Sequence, residues 1–254
     1  MKKLEGKVAI ITGGSGVIGY TTAKELAENG AKVMLVDINE KSLKERVKEA
    51  EELGYDMSYT VADVTKAEDV KNYVDKTIEK YGKFQLFFNN AGIEGEINMT
   101  ENYSEEVFDK VMAVNVKGVF LGMKYVIPKI EDGGSIVITS SIAGLIGREG
   151  LVAYHASKHA VVGIMRTTAR ELGSRNIRVN TVHPGYVESQ MMRNIEKGVN
   201  PDASDSAKED FLTTVPMGRY AEPENVSKMV TFLFSDDSSY STSSQFVTDG
   251  GVVG

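Results

Sequence analysis

A tyrosine and a lysine stand four residues apart in the segment Tyr154-His155-Ala156-Ser157-Lys158. Residues at this spacing share one face of a helix, so the phenol and the ammonium would be neighbours. A free phenol titrates at about pH 10, and a nearby ammonium favours the phenolate and lowers that pKa. Tyr154 and Lys158 are therefore a candidate acid/base pair. The same spacing also suits a tyrosine packed on a lysine stem, so a second signal is needed.

A glycine-rich turn near the start of the chain supplies that second signal. The segment Thr12-Gly13-Gly14-Ser15-Gly16-Val17-Ile18-Gly19 follows an apolar run and precedes a helical pattern. Glycines let the backbone approach a pyrophosphate, whose charge is favoured at a helix N-terminus. The alternative is an ordinary strand-to-helix turn. We predict dinucleotide binding here, with these contacts: Gly13, Ser15, Gly16, Ile18 and Gly19.

The carboxylate of Asp37 bears on the choice of cofactor. It follows Gly19 by 18 residues, where a carboxylate can accept hydrogen bonds from the adenosine ribose. The same charge repels a 2′-phosphate. The glycine turn contains no arginine or lysine, and the residue after Asp37 is Ile38. We therefore predict NAD rather than NADP. The alternative is that Asp37 simply caps the next helix.

The composition excludes several other kinds of site and partner. The chain has 254 residues and no cysteine, which excludes disulfides, thiolate nucleophiles, iron–sulfur clusters and cysteine-ligated zinc. The formal net charge of −7 disfavours nucleic acid and anionic membranes as partners. The apolar runs are too short to cross a bilayer, and no signal peptide is apparent. A cytoplasmic protein is expected.

Short apolar runs alternate with longer amphipathic stretches along the chain. Helical spacing is clear at Leu43, Val47, Ala50 and Leu53, which would share one face. Continuous apolar strands separated by helices predict a parallel sheet covered on both faces. The expected fold is α/β, a doubly wound, Rossmann-like parallel sheet in a single domain over residues 1–254. The strand-like runs are Val8–Ile11, Val33–Val36, Phe84–Phe88, Ile136–Ile138 and Ile177–Val179.

The ends of the helices also carry sequence signals. Thr65 followed by Glu68 predicts a capping box after the third strand. Residues from about 190 to 215 are the one irregular stretch and are expected to form a mobile insertion on the substrate side. Glycine, which adopts the left-handed cap conformation without steric cost, closes four helical stretches, at Gly30, Gly54, Gly82 and Gly173.

Further short motifs occur in a fixed order between Gly6 and Gly251. They are Asp63-Val64, Asn89-Asn90-Ala91-Gly92, Asn115-Val116-Lys117-Gly118, Ser140-Ser141, Pro184-Gly185 and Asp249-Gly250-Gly251. Together with the glycine turn and the Tyr154/Lys158 pair, they make nearly the whole chain resemble the short-chain dehydrogenase/reductase family. The resemblance implies hydride transfer between a nicotinamide and a substrate carbon.

The resemblance also implies roles for single residues. Tyr154 would donate a proton in reduction and accept one in oxidation, and Lys158 would lower its pKa and hold the nicotinamide ribose. Ser141, 13 residues before Tyr154, would bind the substrate oxygen, and Asn115 would hold a water in a proton relay. Further implied cofactor contacts are Asp63 and Val64 at the adenine, Asn90 and Gly92 along the cofactor, and Val187 and Ser189 at the carboxamide.

Each implied residue also has a structural interpretation. Ser140 and Ser141 could bond backbone groups at a strand end, Asn115 could pack inside a helix, and Asp63 could cap one. Of the two serines, the spacing to Tyr154 favours Ser141.

Two positions depart from the pattern of the family. Its glycine turn usually reads Thr-Gly-x-x-x-Gly-x-Gly, which would place glycine at position 17, where this chain has Val17. A β-branched residue adds bulk near the pyrophosphate, so weaker cofactor binding is expected. Near the C-terminus, many relatives have Thr-Gly where this chain has Thr242-Ser243, which would change the local turn.

The substrate side is less clearly marked. Tyr186 and Met192 are expected to border the substrate. Glu94 and Arg148 could contact polar substrate groups, although a surface ion pair or solvated side chains are the alternative. His155 and His159 have a spacing that could chelate a metal, but no third ligand is evident, so no metal site is expected.

The predicted function is that of an NAD-dependent enzyme acting on a small-molecule secondary alcohol or ketone. Reduction of a 3-oxoacyl thioester is an alternative, which Asp37 and the acidic balance oppose. A non-catalytic nucleotide-binding scaffold is another alternative, which the complete set of implied catalytic residues opposes. The resemblance implies a homotetramer built on the long helices after residues 104 and 151 and on the C-terminal strand.

Overall fold

One parallel sheet organises the chain, whose computed structural model describes residues 2–200 and 204–254. Within those residues the sheet has the strand order β3-β2-β1-β4-β5-β6-β7. All six pairings are parallel, so the predicted doubly wound fold is confirmed. The strands are β1 (Val8–Thr12), β2 (Lys32–Asp37), β3 (Met57–Val61), β4 (Leu86–Asn89), β5 (Ser135–Thr139), β6 (Arg178–Pro184) and β7 (Gln245–Thr248).

Helices cover both faces of the sheet. One core is formed with α1 (Val17–Glu28), α2 (Glu40–Glu52) and α9 (Pro223–Phe234). The other is formed with α3 (Ala67–Tyr81), α5 (Val119–Val126) and α6 (Val152–Leu172). In β1, Val8 and Ile10 belong to the second core, whereas Ala9 and Ile11 belong to the first. Because alternate side chains enter opposite cores, the strands are apolar throughout.

The remaining helices lie outside these two layers or extend them. Helix α4 (Glu105–Met112) runs through a π-helical turn, Ala113–Gly118, into α5. Helices α7 (Gln190–Val199) and α8 (Ser204–Thr213) follow β6. No helix among the described residues has both the length and the hydropathy required to cross a membrane.

The chain reverses direction across the sheet between β1 and β4. It passes from β1 to β2 and β3 on one side, then returns to place β4 against the other edge of β1. In doubly wound sheets ligands bind at the carboxyl ends of the strands beside this switch point. The glycine turn follows β1, and Asn90 follows β4, so both lie at that position.

Three of the four predicted glycine caps have positive φ angles, and the fourth does not. The φ angles of Gly30, Gly54 and Gly82 are 94°, 76° and 82°. Gly173, with φ of −56°, continues right-handed into a short 3-10 turn, and Asn176, with φ of 53°, takes the left-handed position. Asparagine tolerates that conformation better than most residues, so the helical region ends three residues later than predicted.

The capping box predicted at Thr65 is wrong. Helix α3 begins at Ala67 with Lys66 at the cap position and no side-chain capping bond. The hydroxyl of Thr65 instead donates to the carboxylate of Asp63 at 2.7 Å, and the Thr65 N–H donates to the same oxygen at 3.0 Å. An aspartate two residues before an N–H forms this local turn readily, and the hydroxyl is thereby occupied.

The irregular stretch predicted at about 190–215 is also wrong, because α7 and α8 occupy most of it. The hydroxyl of Ser189 caps α7 by accepting from the Met192 N–H at 3.2 Å. Met192 and Phe211 pack with Tyr220 in a small third cluster, which stabilises helices whose polar composition resembles a loop. Residues 201–203 lie outside the described residues, and the expected mobility of the insertion stays a prediction.

Candidate active site

The carboxyl ends of the central strands open into one cavity of about 690 Å³. This volume is ordinary for a site that takes a cofactor and a small substrate. Asp63, Val64 and Asn115 do not line it. The structure brings the other predicted residues to this one cavity: Gly13, Ser15, Gly16, Ile18, Gly19, Asp37, Asn90, Gly92, Ser141, Tyr154, Lys158, Tyr186, Val187, Ser189 and Met192.

The glycine turn forms one side of the cavity. Gly13 has φ of 65°, a conformation that favours glycine. A Cβ on Gly19 would lie 2.2 Å from the Gly13 carbonyl oxygen, so position 19 admits only glycine in this backbone. Gly16 caps α1 without a side-chain bond, which leaves the first-turn amides of α1 for an anion. These features fit the pyrophosphate of a dinucleotide.

Val17 does not disrupt this turn. It is the first residue of α1, is 39% exposed and lines the cavity. The turn is closed by backbone bonds on either side of Ser15, from the Gly14 N–H to the Val36 carbonyl at 3.0 Å and from the Gly16 N–H to the Gly13 carbonyl at 3.2 Å. The weaker cofactor binding expected from Val17 stays a prediction.

Asp37 fastens the end of β2 to the glycine turn. Its Oδ2 accepts from the Ser15 N–H and its Oδ1 accepts from the Asn39 N–H, both at 3.1 Å. The cap of α2 is Asn39, whose side chain accepts from the Ser42 N–H. The alternative role of Asp37 as the cap of that helix is therefore wrong, and its carboxylate faces the cavity at a fixed position.

Arg46 is a cation near the turn that the sequence did not reveal. Its Nε lies 3.5 Å from the Ser15 carbonyl oxygen. The guanidinium stacks 4.6 Å from the ring centroid of Tyr20 and pairs with Glu49. The predicted preference for NAD rests on the absence of basic residues from the turn and from position 38. The sequence does contain a signal for Arg46. Leu43 and Ala50 mark the buried face of α2, and position 46 lies beside that face.

Asn90 joins the carboxyl ends of three neighbouring strands. Its Nδ2 donates to the Thr12 carbonyl of β1 at 3.1 Å, and its Oδ1 accepts from the Thr139 hydroxyl of β5 at 2.9 Å. The Asn90 N–H donates to the Thr12 hydroxyl at 2.9 Å. Thr12 and Thr139 were not predicted as site residues, yet they fix the floor of the cavity through Asn90.

Helix α6 places the tyrosine and the lysine side by side. The Nζ of Lys158 lies 5.5 Å from the centroid of the Tyr154 ring. Lys158 is 4% exposed and donates to the Thr139 carbonyl oxygen at 2.9 Å. The ammonium therefore lies next to the phenol, and both groups line the same cavity as the glycine turn.

Burial governs the proton affinities of both groups. It raises the pKa of Tyr154 to about 12, against the opposing effect of a hydrogen bond with Ser141, and the charge of Glu94 adds to the rise. It lowers the pKa of Lys158 to about 8. The sequence predicts that the ammonium of Lys158 lowers the pKa of the phenol. Loss of hydration on burial raises it instead, so Tyr154 is protonated at neutral pH.

The two serines after β5 have different partners. The Ser140 hydroxyl is buried and donates to the Lys158 carbonyl oxygen at 2.9 Å, so it fastens the backbone of α6. The Ser141 hydroxyl accepts from the Ala143 N–H at 3.2 Å and bonds with Tyr154. Behind it, Nδ1 of the buried His183 lies 2.8 Å from the Ser141 carbonyl oxygen. Ser141 is therefore the serine that accompanies the tyrosine.

Asn115 secures a loop instead of lining the cavity. It lies in the π-helical turn between α4 and α5. Its amide exchanges two 2.9 Å hydrogen bonds with the backbone of Ile93 and donates to the Ser157 hydroxyl at 3.0 Å. A Cβ on Gly92 would lie 3.3 Å from Asn115 Oδ1 and 3.4 Å from Lys158 Nζ. The asparagine and the lysine therefore approach the same small space beside Gly92.

Asp63 and Val64 are placed away from the cavity lining. The Asp63 carboxylate is occupied by Thr65, as described above. Val64 packs against the helix that contains Gly118, where an added Cβ would lie 2.9 Å from its Cγ2. Their predicted contact with an adenine stays a prediction.

An aromatic cluster borders the substrate end of the cavity. The ring of Tyr186 lies 5.0 Å from Phe211 and 5.6 Å from Tyr220, centroid to centroid. The guanidinium of Arg148 lies 4.2 Å from the Phe211 centroid and donates to the Tyr186 hydroxyl at 2.9 Å. Phe211 and Thr214 also line the cavity. Sequence reasoning missed both, since they fall in the stretch predicted to be irregular.

The remaining polar candidates have protein partners. Glu94 accepts a hydrogen bond from Asn194 at 2.8 Å. Nδ1 of His155 lies 2.7 Å from the Ile146 carbonyl oxygen, and Nδ1 of His159 lies 3.0 Å from the His155 carbonyl oxygen. The described part of the chain contains no group of three or more side chains suited to hold a metal ion.

Comparison with known sequences places the chain among oxidoreductases. A family profile described as enoyl-(acyl carrier protein) reductase matches residues 14–253. A cyclohexanol dehydrogenase of Acinetobacter sp. (strain SE19) is 40% identical over 250 residues, 98% of this chain and 95% of that protein. A 3-oxoacyl-(acyl-carrier-protein) reductase of Thermotoga maritima is 40% identical over 253 residues, 99% of each.

Solved structures agree with the sequence comparison. The crystal structure of a levodione reductase has a TM-score of 0.95 and 38% identity, covering 98% of each chain. An NAD+-bound xylitol dehydrogenase has a TM-score of 0.92 and 34% identity, covering 98% of this chain and 100% of that chain.

Proposed function

This chain belongs to the short-chain dehydrogenase/reductase family, and we propose that it transfers a hydride between NAD(H) and a secondary alcohol or the corresponding ketone. One observation carries the proposal. Tyr154, Ser141 and Lys158 line the same cavity as the glycine turn, so a proton donor lies within reach of a bound dinucleotide. Relatives named for cyclohexanol and levodione support a secondary alcohol or ketone as substrate.

Tyr154 and Ser141 would act on the substrate oxygen. In reduction, the Tyr154 hydroxyl donates its proton to the carbonyl oxygen as the carbon gains a hydride, and in oxidation the phenolate takes that proton back. The Ser141 hydroxyl stabilises the charge that develops on the same oxygen. The bound nicotinamide supplies or accepts the hydride. Since the pKa of Tyr154 is raised to about 12, its proton is available for reduction at neutral pH.

Lys158 and Asn115 would support this proton transfer. The Lys158 ammonium, adjacent to Tyr154, stabilises the phenolate left after donation. Asn115 acts as a positioning residue, because its amide holds Ile93 and thereby the loop that contains Gly92. The water that the resemblance implies at Asn115 remains part of the proposal.

The preference for NAD over NADP rests on Asp37. Its carboxylate is fixed by the Ser15 and Asn39 amides at the cavity wall, where a negative charge suits ribose hydroxyls and opposes a 2′-phosphate. Arg46 would soften this preference, but its charge is shared with Glu49. We expect kcat/KM to be higher with NADH than with NADPH, and the reverse order would contradict the assignment.

A second candidate function is reduction of a 3-oxoacyl thioester, which the Thermotoga maritima relative favours. The acidic net charge opposes docking of an acidic carrier protein. Turnover of acetoacetyl coenzyme A can be compared with that of cyclohexanone. A higher kcat/KM for the thioester, with NADPH preferred, would favour the second candidate.

We also propose that the protein is a cytoplasmic homotetramer. The acidic, cysteine-free composition supports the location. Exposed apolar side chains on α5, α9 and β7 support assembly: Phe120 is 51% exposed, Phe232 36% and Val247 40%. Contact with another protein surface would remove these apolar side chains from water.

The proposed function is tested by a panel of ketones and secondary alcohols, followed by the absorbance of the reduced nicotinamide. Tyr154→Phe should lower kcat/KM by about a hundredfold to ten-thousandfold while NADH still binds. Tyr240→Phe is the matched control, since Tyr240 is fully exposed and does not line the cavity. NADH binding without turnover of any panel member, or full activity of Tyr154→Phe, would refute the assignment.

A further inference from the structure

One part of the cavity wall offers hydrogen-bond donors without matching acceptors. Arg148, Tyr186 and Thr214 line the same cavity as Ser141 and Tyr154. A guanidinium has five N–H groups, and Arg148 uses one nitrogen, Nη1, in its bond to Tyr186 at 2.9 Å. Among the described residues it has no other hydrogen bond and no carboxylate partner. The surface ion pair considered for Arg148 is therefore absent from the part of the chain that the structure describes.

The Tyr186 hydroxyl is a second donor of this kind. Its oxygen accepts from Arg148 and, at 3.5 Å, from the Thr214 hydroxyl. The Thr214 hydroxyl donates more closely to the Phe211 carbonyl oxygen, at 2.7 Å. The phenolic hydrogen of Tyr186 has no acceptor within the described residues. Two adjacent donors, one of them the charged and exposed Arg148, therefore line the cavity.

The donors are held in place by aromatic packing. The Arg148 guanidinium lies over the Phe211 ring at 4.2 Å, and Tyr186 packs between Phe211 and Tyr220. A guanidinium stacked on a ring keeps its edge free for a planar oxygen group. Ile146, Met192 and Ile195 also line the cavity, and their apolar side chains offer no acceptor.

We propose that Arg148 and Tyr186 form a subsite for a carboxylate, and that the preferred substrates are ketones or secondary alcohols that carry one. This inference rests on the proposed function, because it concerns the far end of the same substrate. A carboxylate offers two coplanar oxygens that match the parallel N–H groups of arginine. The phenol of Tyr186 can donate to the same group. With a neutral alicyclic ketone bound, these donors would form hydrogen bonds only with water.

The experiment compares a substrate that carries a carboxylate with its neutral methyl ester. They are 4-oxocyclohexanecarboxylate and its methyl ester, both reduced with NADH. The ester is the more apolar compound, so an apolar cavity alone would favour it. We expect kcat/KM to be at least about tenfold higher for the carboxylate, the effect of one hydrogen bond to a charged group. A ratio of one or below in the wild-type protein would overturn the proposal.

Variants assign the preference to the two residues. Arg148→Met should lower the carboxylate-to-ester ratio about tenfold, and Tyr186→Phe should lower it while keeping the ring that packs on Phe211. Arg170→Met is the matched control, because Arg170 is exposed on α6 and does not line the cavity. It removes the same net charge and should leave the ratio unchanged.

The outcomes separate this inference from the proposed function. If both substrates are reduced and the ratio does not respond to Arg148→Met, the carboxylate subsite is wrong and the oxidoreductase assignment stands. If Arg148→Met lowers both rates equally, Arg148 only supports the packing of α8, and the inference is again wrong. If neither substrate nor any ketone of the panel is reduced with either cofactor, the proposed function itself fails.

Discussion

Lys158 is a buried charged residue, and burial of its charge reduces the stability of the fold. It is 4% exposed, and its ammonium has one hydrogen-bond partner among the described residues, the Thr139 carbonyl. Burial lowers its pKa to about 8 from 10.5. A buried ion without a counterion reduces stability. The residue that the proposed mechanism needs beside the phenol is therefore one that the fold would be more stable without, a common cost of functional sites.

We expect Lys158→Met to raise the free energy of unfolding at pH 7 by about 1–3 kcal/mol and to abolish turnover. The folded pKa lies below the unfolded one, so the unfolded chain binds more protons between pH 8 and 10.5. Wild-type stability therefore rises with pH in that window, and the difference from the variant shrinks. Urea unfolding at pH 7 and pH 10 measures both effects. A variant less stable than wild type at pH 7 contradicts the prediction.

Asp37 and Arg46 together make the cofactor preference adjustable. Asp37→Ser removes the carboxylate that opposes a 2′-phosphate and leaves Arg46 near Ser15. We expect the ratio of kcat/KM for NADH over NADPH to fall by at least about tenfold. Arg46→Met in the same background should reverse part of the gain with NADPH. An unchanged ratio in Asp37→Ser would show that Asp37 does not determine the preference.

At the scale of single elements, sequence reasoning succeeded where the pattern is local. The strand runs are apolar because both faces of the sheet are covered, and the glycine turn must be glycine because Gly19 touches Gly13. It failed where distant contacts decide. Helices α7 and α8 depend on packing with Tyr220, and the approach of Arg46 to Ser15 depends on how α2 lies against α1. The packing with Tyr220 leaves no short-range signal, and the helical spacing of α2 places position 46 beside the buried face without revealing its approach to Ser15.

The turn before β7 contains a backbone position suited to glycine. Ser243 has φ of 58°, and its N–H donates to the Val179 carbonyl oxygen at 2.8 Å. This left-handed conformation costs about 1 kcal/mol for a residue with a Cβ. Glycine removes this cost but adds entropy to the unfolded chain, which offsets part of the gain. Ser243→Gly should therefore raise the free energy of unfolding by a net of about 0.5–1 kcal/mol. Thermal unfolding measures it, with Ser244→Gly as the control.

At the scale of the whole molecule, the exposed apolar residues bear on assembly. Phe120 is 51% exposed near the start of α5, within the long helical segment formed by α4 and α5. If the proposed tetramer uses this segment, Phe120→Glu buries a charge in an interface and should shift the protein to a smaller species. Light scattering after size-exclusion chromatography measures the mass. A wild-type monomer, or an unchanged mass in the variant, contradicts the prediction.

The small cluster of Met192, Ala207, Phe211 and Tyr220 is separate from the two cores that flank the sheet. A segment with its own modest core can open and reclose without unfolding the rest. Amide hydrogens in α7 and α8 should therefore exchange with deuterium sooner than those of β1 or β5, and a bound ketone should slow them. Opening of α7 and α8 would then limit the rate of product release, and the sheet would keep its structure throughout the catalytic cycle.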